Sequence, residues 1–127
     1  MSMREVEEYS TLIGAKHVLM VFDSCFSGSV FRGRPQTPSR YILEQTERPV
    51  RAFIASGDET ESVPDASVFQ TCLVQGLRDG YADTNEDGYV TGEELGLYLQ
   101  EAVANHTNGA QHPYYGRINN PRLDKGD

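Results

Sequence analysis

The sequence predicts an α/β fold in which strands of a parallel sheet are flanked by helices. Two short, mainly apolar runs, at 17–23 and 50–57, are the predicted strands, and acidic and small residues follow each of them. The unbroken apolar part of the first run, Val18 to Phe22, is typical of a strand that is covered on both faces. Apolar residues at helical spacing occur before the first run and after the second, which places helices around the sheet.

The other elements follow from caps, apolar spacing and glycines. Three helices are predicted: 4–14, a second from a capping box at Ser67–Gln70 to Gly80, and a third beginning near Thr91 or Gly92. Their core-facing residues are expected to be Val6, Tyr9, Leu12 and Ile13 in the first, Phe69, Cys72, Leu73, Gly76 and Leu77 in the second, and Leu95, Tyr98, Leu99, Ala102 and Val103 in the third. A long loop is predicted at 29–49, and Gln111–Gly116 is expected to be irregular with extended character.

Length and charge bound the classes of function. A chain of 127 residues is one domain at most. The formal net charge is −8, and residues 52–116 hold eleven acidic residues against the single basic residue Arg78. This balance argues against a nucleic-acid partner. The local basic segment of Arg32, Arg34, Arg40, Arg48 and Arg51 is interpreted as a solvated loop.

No apolar run approaches the roughly 18 residues that would cross a bilayer, so no membrane partner is predicted. The two cysteines, Cys25 and Cys72, have no paired spacing, which favours reduced thiols and a cytoplasmic setting.

Cys25 is the candidate for chemistry. It follows the first predicted strand by two residues, and reactive groups in open α/β sheets gather just past the carboxyl ends of the strands. A nucleophilic thiol also needs partial exposure and a base or positive field. The alternative is that Cys25 packs as a small buried hydrophobe, which is the interpretation preferred for Cys72 on its helical stripe.

Several motifs occur in a fixed order along almost the whole chain. They are Asp23-Ser24-Cys25-Phe26-Ser27-Gly28, the strand from Arg51 to Ser56-Gly57, the helix start Ser67-Val68-Phe69, the stretch Ala82–Leu95 and the segment Gln111–Gly116. With them the chain resembles the caspase-like cysteine peptidases, in particular the metacaspase and bacterial caspase-family branch. The resemblance implies an endopeptidase in which Cys25 is the nucleophile and Asp23 lines the first specificity pocket, so that cleavage follows Arg or Lys. Alternatively, Asp23 could have a structural role and accept hydrogen bonds from backbone amides at the end of the strand.

Caspase-type catalysis uses a histidine about 50 residues upstream of the cysteine, whereas 24 residues precede Cys25. His17, His106 and His112 are expected to be solvated or packing residues. We therefore expect residues 1–127 to be an incomplete caspase-like peptidase domain that is inactive alone, with the missing amino-terminal part of the same domain as its partner. A catalytically silent pseudo-protease or interaction module is the competing hypothesis.

Residues 83–94 match the loop pattern of an EF-hand calcium site. The expected ligands are Asp83, Asn85, Asp87, the carbonyl of Tyr89, Thr91 and Glu94. The pattern predicts a Ca²⁺ ion in a helix–loop–helix unit. The alternative needs no metal: Thr91 and Glu94 form a capping box, and the other polar residues form a solvated turn.

Overall fold

The computed structural model describes residues 3–26, 44, 46–58 and 67–127. Its main helices are α1 (Met3–Leu12), α2 (Ser67–Arg78) and α3 (Gly92–His106), and its strands are β1 (His17–Phe26), β2 (Val50–Asp58) and β3 (Tyr114–Arg117). Most of the loop predicted at 29–49 lies outside the described residues. No helix in the described ranges is both long and apolar enough to span a membrane.

The sheet has the order β1-β2-β3 and is mixed. β1 pairs with β2 in parallel, as the two apolar runs predicted, and β3 pairs with β2 in antiparallel orientation. The sequence predicts that the segment 111–116 is irregular with extended character; its extended character is confirmed, but from Tyr114 onward it is a regular strand, because the backbone of Tyr114–Arg117 pairs with residues 52–55 of β2. The four residues Tyr114–Arg117 contain no apolar run that would predict a strand, so their extended conformation depends on pairing with β2.

The two faces of the sheet bury separate apolar clusters. On one face Phe53 of β2 packs with Val6 of α1 and with Ile118, and Met20 and Phe22 of β1 lie against this cluster. On the other face Ile54 packs against α2 and α3. The buried members of that cluster are Ile54, Phe69, Cys72, Ala82, Leu95, Leu99 and Val103. β2 is thus the strand around which the described core is built.

The two strands differ in how far they are covered. Val50–Ala55 of β2 is buried on both faces. The expectation that β1 is covered on both faces is wrong, because Leu19 is 42% and Val21 40% exposed. These two side chains share the face of Ile54, but within the described ranges α2 and α3 pack over β2 and β3 and leave this part of β1 open.

Arg51 corrects the interpretation of a solvated basic loop. Arg51 is 3% exposed, and its guanidinium donates hydrogen bonds of 2.7–3.2 Å to the carbonyl oxygens of Ser10, Ile13, Lys16 and Val50. A guanidinium presents five donors in a rigid fork, which suits a position where several carbonyls converge. Arg51 therefore joins the carboxyl end of α1 to the beginning of β2.

The residues predicted to face the core agree best with the observed buried residues in α3 and least well in α1. In α3 Leu95, Leu99 and Val103 are buried, with Tyr98 and Ala102 packed beside them, as expected. In α2 Phe69 and Cys72 are buried but Leu77 is exposed.

In α1 the prediction fails more widely. Val6 is buried together with Ser10, whereas Tyr9, Leu12 and Ile13 are exposed. This short helix contacts the sheet along a narrow stripe. The capping box predicted for α2 involves the Ser67 side chain, which lies outside the described residues.

Candidate functional site

Cys25 lies at the carboxyl end of β1. Its backbone pairs with Gly57 of β2, and β1 continues to Phe26, so Cys25 is inside the strand instead of two residues beyond it. The Cys25 side chain lies outside the described part of the chain. The backbone of Cys25 lies at the end of the sheet where the carboxyl termini of β1 and β2 meet.

The register between β1 and β2 shifts just before Cys25. Phe22 pairs with Ala55 and Cys25 pairs with Gly57, so two residues of β1 oppose the single residue Ser56. Such a bulge increases the local twist and re-aims the side chains that follow it, and bulges are frequent next to active sites. Beyond the bulge, β1 continues past the Asp23 boundary that the sequence predicted, because Cys25 and Phe26 pair with Gly57 and Asp58.

Asp23 is one of the two residues in this bulge. It is exposed, and its Oδ2 accepts a hydrogen bond of 3.2 Å from Nε2 of Gln70 in the first turn of α2. The described bond therefore comes from a side-chain amide and not from a backbone amide of a strand-end turn. Gln70, which is also the predicted partner of Ser67 in a capping box, thereby joins β1 to α2.

A second glutamine holds the end of β2. Gln111 is fully buried, and its Nε2 donates to the carbonyl oxygen of Ser56 at 2.6 Å, while its backbone N–H donates to Oγ1 of Thr107. Gln111 thus links the carboxyl end of α3 to the carboxyl end of β2. Gln111 belongs to one of the motifs of the family resemblance, but the sequence predicted no function for it. Its position three residues before a strand that pairs with β2 is visible only in the fold.

The three histidines occupy different parts of the molecule. His17 begins β1, about 25 Å from Cys25 along the strand, and its ring nitrogens lie 2.8 and 3.0 Å from the carbonyl oxygens of Asp127 and Thr46. His106 ends α3, with its Nδ1 at 2.8 Å from the carbonyl oxygen of Ala102. His112 is exposed and precedes β3 at the same edge of the sheet as Cys25, but β2 lies between the two strands, which separates them by about 10 Å.

Cys72 has the structural role that the helical pattern predicted. It is 2% exposed within the core formed by α2, α3 and Ile54, and it is a free thiol. Burial raises its pKa, which keeps the sulfur protonated and unreactive.

The 83–94 segment forms a compact loop between α2 and α3 that is held by its own side chains. Asp83 accepts from the backbone N–H groups of Asp87 and Gly88, Asn85 accepts from that of Asp87, and Asp87 accepts from that of Tyr89. Gly88 has φ of +85°, a left-handed conformation that suits glycine. The glycine at the sixth loop position is therefore required by the turn, as the motif predicted.

Glu94 ends the loop and is 5% exposed. One carboxylate oxygen accepts from the backbone N–H and hydroxyl of Thr91, the other accepts from the Thr84 hydroxyl, and Thr91 in turn caps α3. The capping box of the alternative interpretation is therefore present. Within the described residues, no group of three or more His, Cys, Asp or Glu side chains is placed so that it could hold a metal ion.

No protein-family model, curated protein or solved structure matches this chain. The assignment of function therefore depends on the residues and their geometry.

Proposed function

We propose that this chain carries the nucleophile and the first specificity pocket of a caspase-like cysteine endopeptidase. The observation that supports the proposal best is the pairing of Cys25 with Gly57 at the shared carboxyl edge of two parallel strands, next to a bulge that contains Asp23. Ligands and reacting groups in open α/β sheets collect at this edge.

In the proposed reaction, the Cys25 thiolate attacks the scissile carbonyl and forms a tetrahedral oxyanion, toward which the Cys25 backbone amide would donate. Collapse of this intermediate breaks the C–N bond, the amine leaves with a proton from the general acid, and water hydrolyses the thioester. We propose that the base is a histidine outside residues 1–127, because His17 and His106 lie elsewhere and β2 separates His112 from Cys25. A thiolate mechanism and the free thiol of Cys72 favour a reducing, cytosolic compartment.

The proposed specificity is for Arg or Lys before the scissile bond. Asp23 supplies a carboxylate beside the nucleophile, and residues 52–116 carry eleven acidic residues against one basic residue. An acidic environment attracts a cationic side chain and repels an anionic one.

The test uses the full-length protein that the gene encodes and measures hydrolysis of fluorogenic peptides that end in Arg, Lys or Asp. We expect turnover of the Arg and Lys reporters that is lost in Cys25→Ala and retained in Cys72→Ala and His112→Ala. Faster turnover of the Asp reporter would contradict the specificity. Absence of Cys25-dependent turnover, together with failure of Cys25 to react with an Arg-directed acyloxymethyl ketone, would favour a catalytically silent module.

We further propose that the 83–94 loop binds Ca²⁺. The observation that favours this is the arrangement of Asp83, Asn85 and Asp87, whose oxygens each accept from the loop's own backbone around the turn at Gly88. Those three side chains, the carbonyl of Tyr89, Thr91 and Glu94 would hold the ion, and their oxygen donors suit a hard cation. Bound calcium would offset the repulsion of the carboxylates and fix the junction between α2 and α3.

The variant Glu94→Gln distinguishes calcium binding from helix capping as the role of Glu94. A glutamine keeps the capping box with Thr91 but removes the charged bidentate ligand. We expect isothermal titration to detect calcium binding to the wild-type protein and a large loss of affinity in Glu94→Gln and Asp83→Ala. Equal heats for wild type and Glu94→Gln, or no binding at millimolar calcium, would leave capping as the role of this residue.

A further inference from the structure

Two buried polar side chains at the carboxyl end of β2 each leave an atom unsatisfied. Ser56 and Gln111 are both 0% exposed, and neither Ser56 Oγ nor Gln111 Oε1 has a hydrogen-bond partner in the described part of the chain. Buried polar groups in native proteins are almost always hydrogen-bonded, because an unpaired one has lost its water without compensation. Two such atoms lie on residues that are joined to each other, so one bound group could satisfy both.

The orientation of the Gln111 amide defines which kind of ligand is needed. Its Nε2 donates to the Ser56 carbonyl oxygen at 2.6 Å. Exchanging the amide nitrogen and oxygen would place two acceptors against each other, so the unsatisfied atom is an acceptor. Ser56 Oγ can also accept. Gln111 Oε1 therefore lacks a donor, and Ser56 Oγ can serve as a second acceptor for the same group.

Asp23 adds a negative charge on the same side of the sheet. Ser56 lies two residues after Ile54 in β2 and so shares the face of the sheet that packs against α2, and the Asp23 carboxylate accepts a hydrogen bond from Gln70 of α2. Asp23 and its neighbour in the bulge directly oppose Ser56 in the β1–β2 register. The exposed carboxylate therefore belongs to a residue that faces Ser56 across the two strands.

We propose that Ser56 and Gln111 are specificity-determining residues, which accept hydrogen bonds from the guanidinium of an arginine whose charge is paired with Asp23. This inference rests on the proposed function and adds a preference for Arg over Lys. A guanidinium carries five donors in a planar fork and can serve a carboxylate and two neutral acceptors at once, whereas an ammonium has three donors at one nitrogen.

The experiment measures binding instead of turnover, so it does not depend on the catalytic base. The probes are N-acetyl-arginine methylamide, its lysine counterpart and the uncharged isostere N-acetyl-citrulline methylamide, titrated into ¹⁵N-labelled protein. We expect shifts of the Gln111 side-chain amide signals with the arginine probe, weaker binding of the lysine probe and none of the citrulline probe.

Ser56→Ala is the decisive variant. Since Oγ has no protein partner in the described part of the chain, its removal should leave the unfolding midpoint unchanged or raise it, while affinity for the arginine probe falls about two- to tenfold, the effect of one hydrogen bond. Asp23→Asn should weaken binding further. Asp79→Asn, which removes the same charge at the end of α2, should not.

The outcomes separate this inference from the proposed function. Unchanged arginine affinity in Ser56→Ala, with or without a gain in stability, would assign the two atoms to a buried water and overturn the inference. Arg-reporter turnover by Cys25 without binding of the arginine probe near Gln111 would overturn the inference and leave the peptidase proposal standing. Specific arginine binding without turnover would support the subsite and contradict the peptidase.

Discussion

The guanidinium of Arg51 donates a 2.7 Å hydrogen bond to the carbonyl oxygen of Ser10, across 41 residues of sequence. Its other donors reach the carbonyls of Ile13, Lys16 and Val50. One buried side chain therefore satisfies the end of α1, the turn that follows it and the first residue of β2. The alignment of β2 beneath α1 depends on this group.

Replacement of Arg51 by lysine should destabilise the protein by about 2–4 kcal/mol, because an ammonium cannot reach all four carbonyls and leaves some buried acceptors unpaired. Urea unfolding measures the change. Arg48→Lys, at an exposed position, is the matched control and should stay within about 0.5 kcal/mol. Equal stability of the two variants would mean that Arg51 is solvated.

Gly96→Ala should disrupt the contact of α3 with β3. A Cβ at Gly96 would lie 2.5 Å from Cβ and 2.6 Å from Cγ of Tyr115, so the helix or the strand must move. We expect a loss of about 1–3 kcal/mol, despite the better helix propensity of alanine.

Gly14→Ala controls for the substitution itself, because no atom lies within 4 Å of a Cβ there. It should be neutral or stabilise by up to about 1 kcal/mol. If thermal unfolding gave the same midpoint for both variants, α3 would not approach β3 closely at Gly96.

Tyr115→Phe should change how stability depends on alkaline pH. Tyr115 Oη donates to Oδ1 of Asp127 at 2.9 Å, and burial, followed by the Asp127 charge, raises the pKa of Tyr115 well above its usual value. The neutral phenol therefore contributes stability that is fully present below about pH 10 and is lost as pH rises toward the folded-state pKa.

Removing the hydroxyl should cost about 1–2 kcal/mol at neutral pH. It should also make the fall in the free energy of unfolding less steep between about pH 10 and 11. Tyr9→Phe, at an exposed position in α1, controls for the loss of a tyrosine hydroxyl as such. Parallel curves for wild type and Tyr115→Phe would show that the phenol ionises freely.

Thr91→Ala should destabilise the start of α3 by about 1 kcal/mol, since it removes the hydroxyl that accepts from the Glu94 backbone N–H at 3.1 Å. Thr91→Ser retains the cap and should lie within a few tenths of a kcal/mol of wild type. Chemical unfolding in chelator measures the capping contribution in the absence of calcium. A serine variant as unstable as the alanine variant would point to the lost methyl group instead of the cap.

Local pattern alone was sufficient for several features. The apolar runs predicted β1 and β2, helical spacing predicted the buried face of α3, and the capping box that was the alternative interpretation of Thr91 and Glu94 is present. Each depends on residues within a few positions of one another, so sequence spacing already contains the geometry. The turn that requires left-handed Gly88 belongs to the same group.

Long-range contacts decided the rest. Arg51 looked like one residue of a basic loop until four carbonyls from distant positions surrounded it, and Gln111 acquired a role only when β3 paired with β2 and brought it to Ser56. β1 carries the same apolar pattern as β2 and yet exposes Leu19 and Val21, because the positions of α2 and α3 determine which strand is covered. By itself the sequence determined the positions of β1, β2 and the three helices, and where a thiol, an acid and a loop of oxygen donors occur. Only the tertiary structure decided which of these groups are neighbours, because burial and hydrogen-bond partners depend on segments that are far apart along the chain.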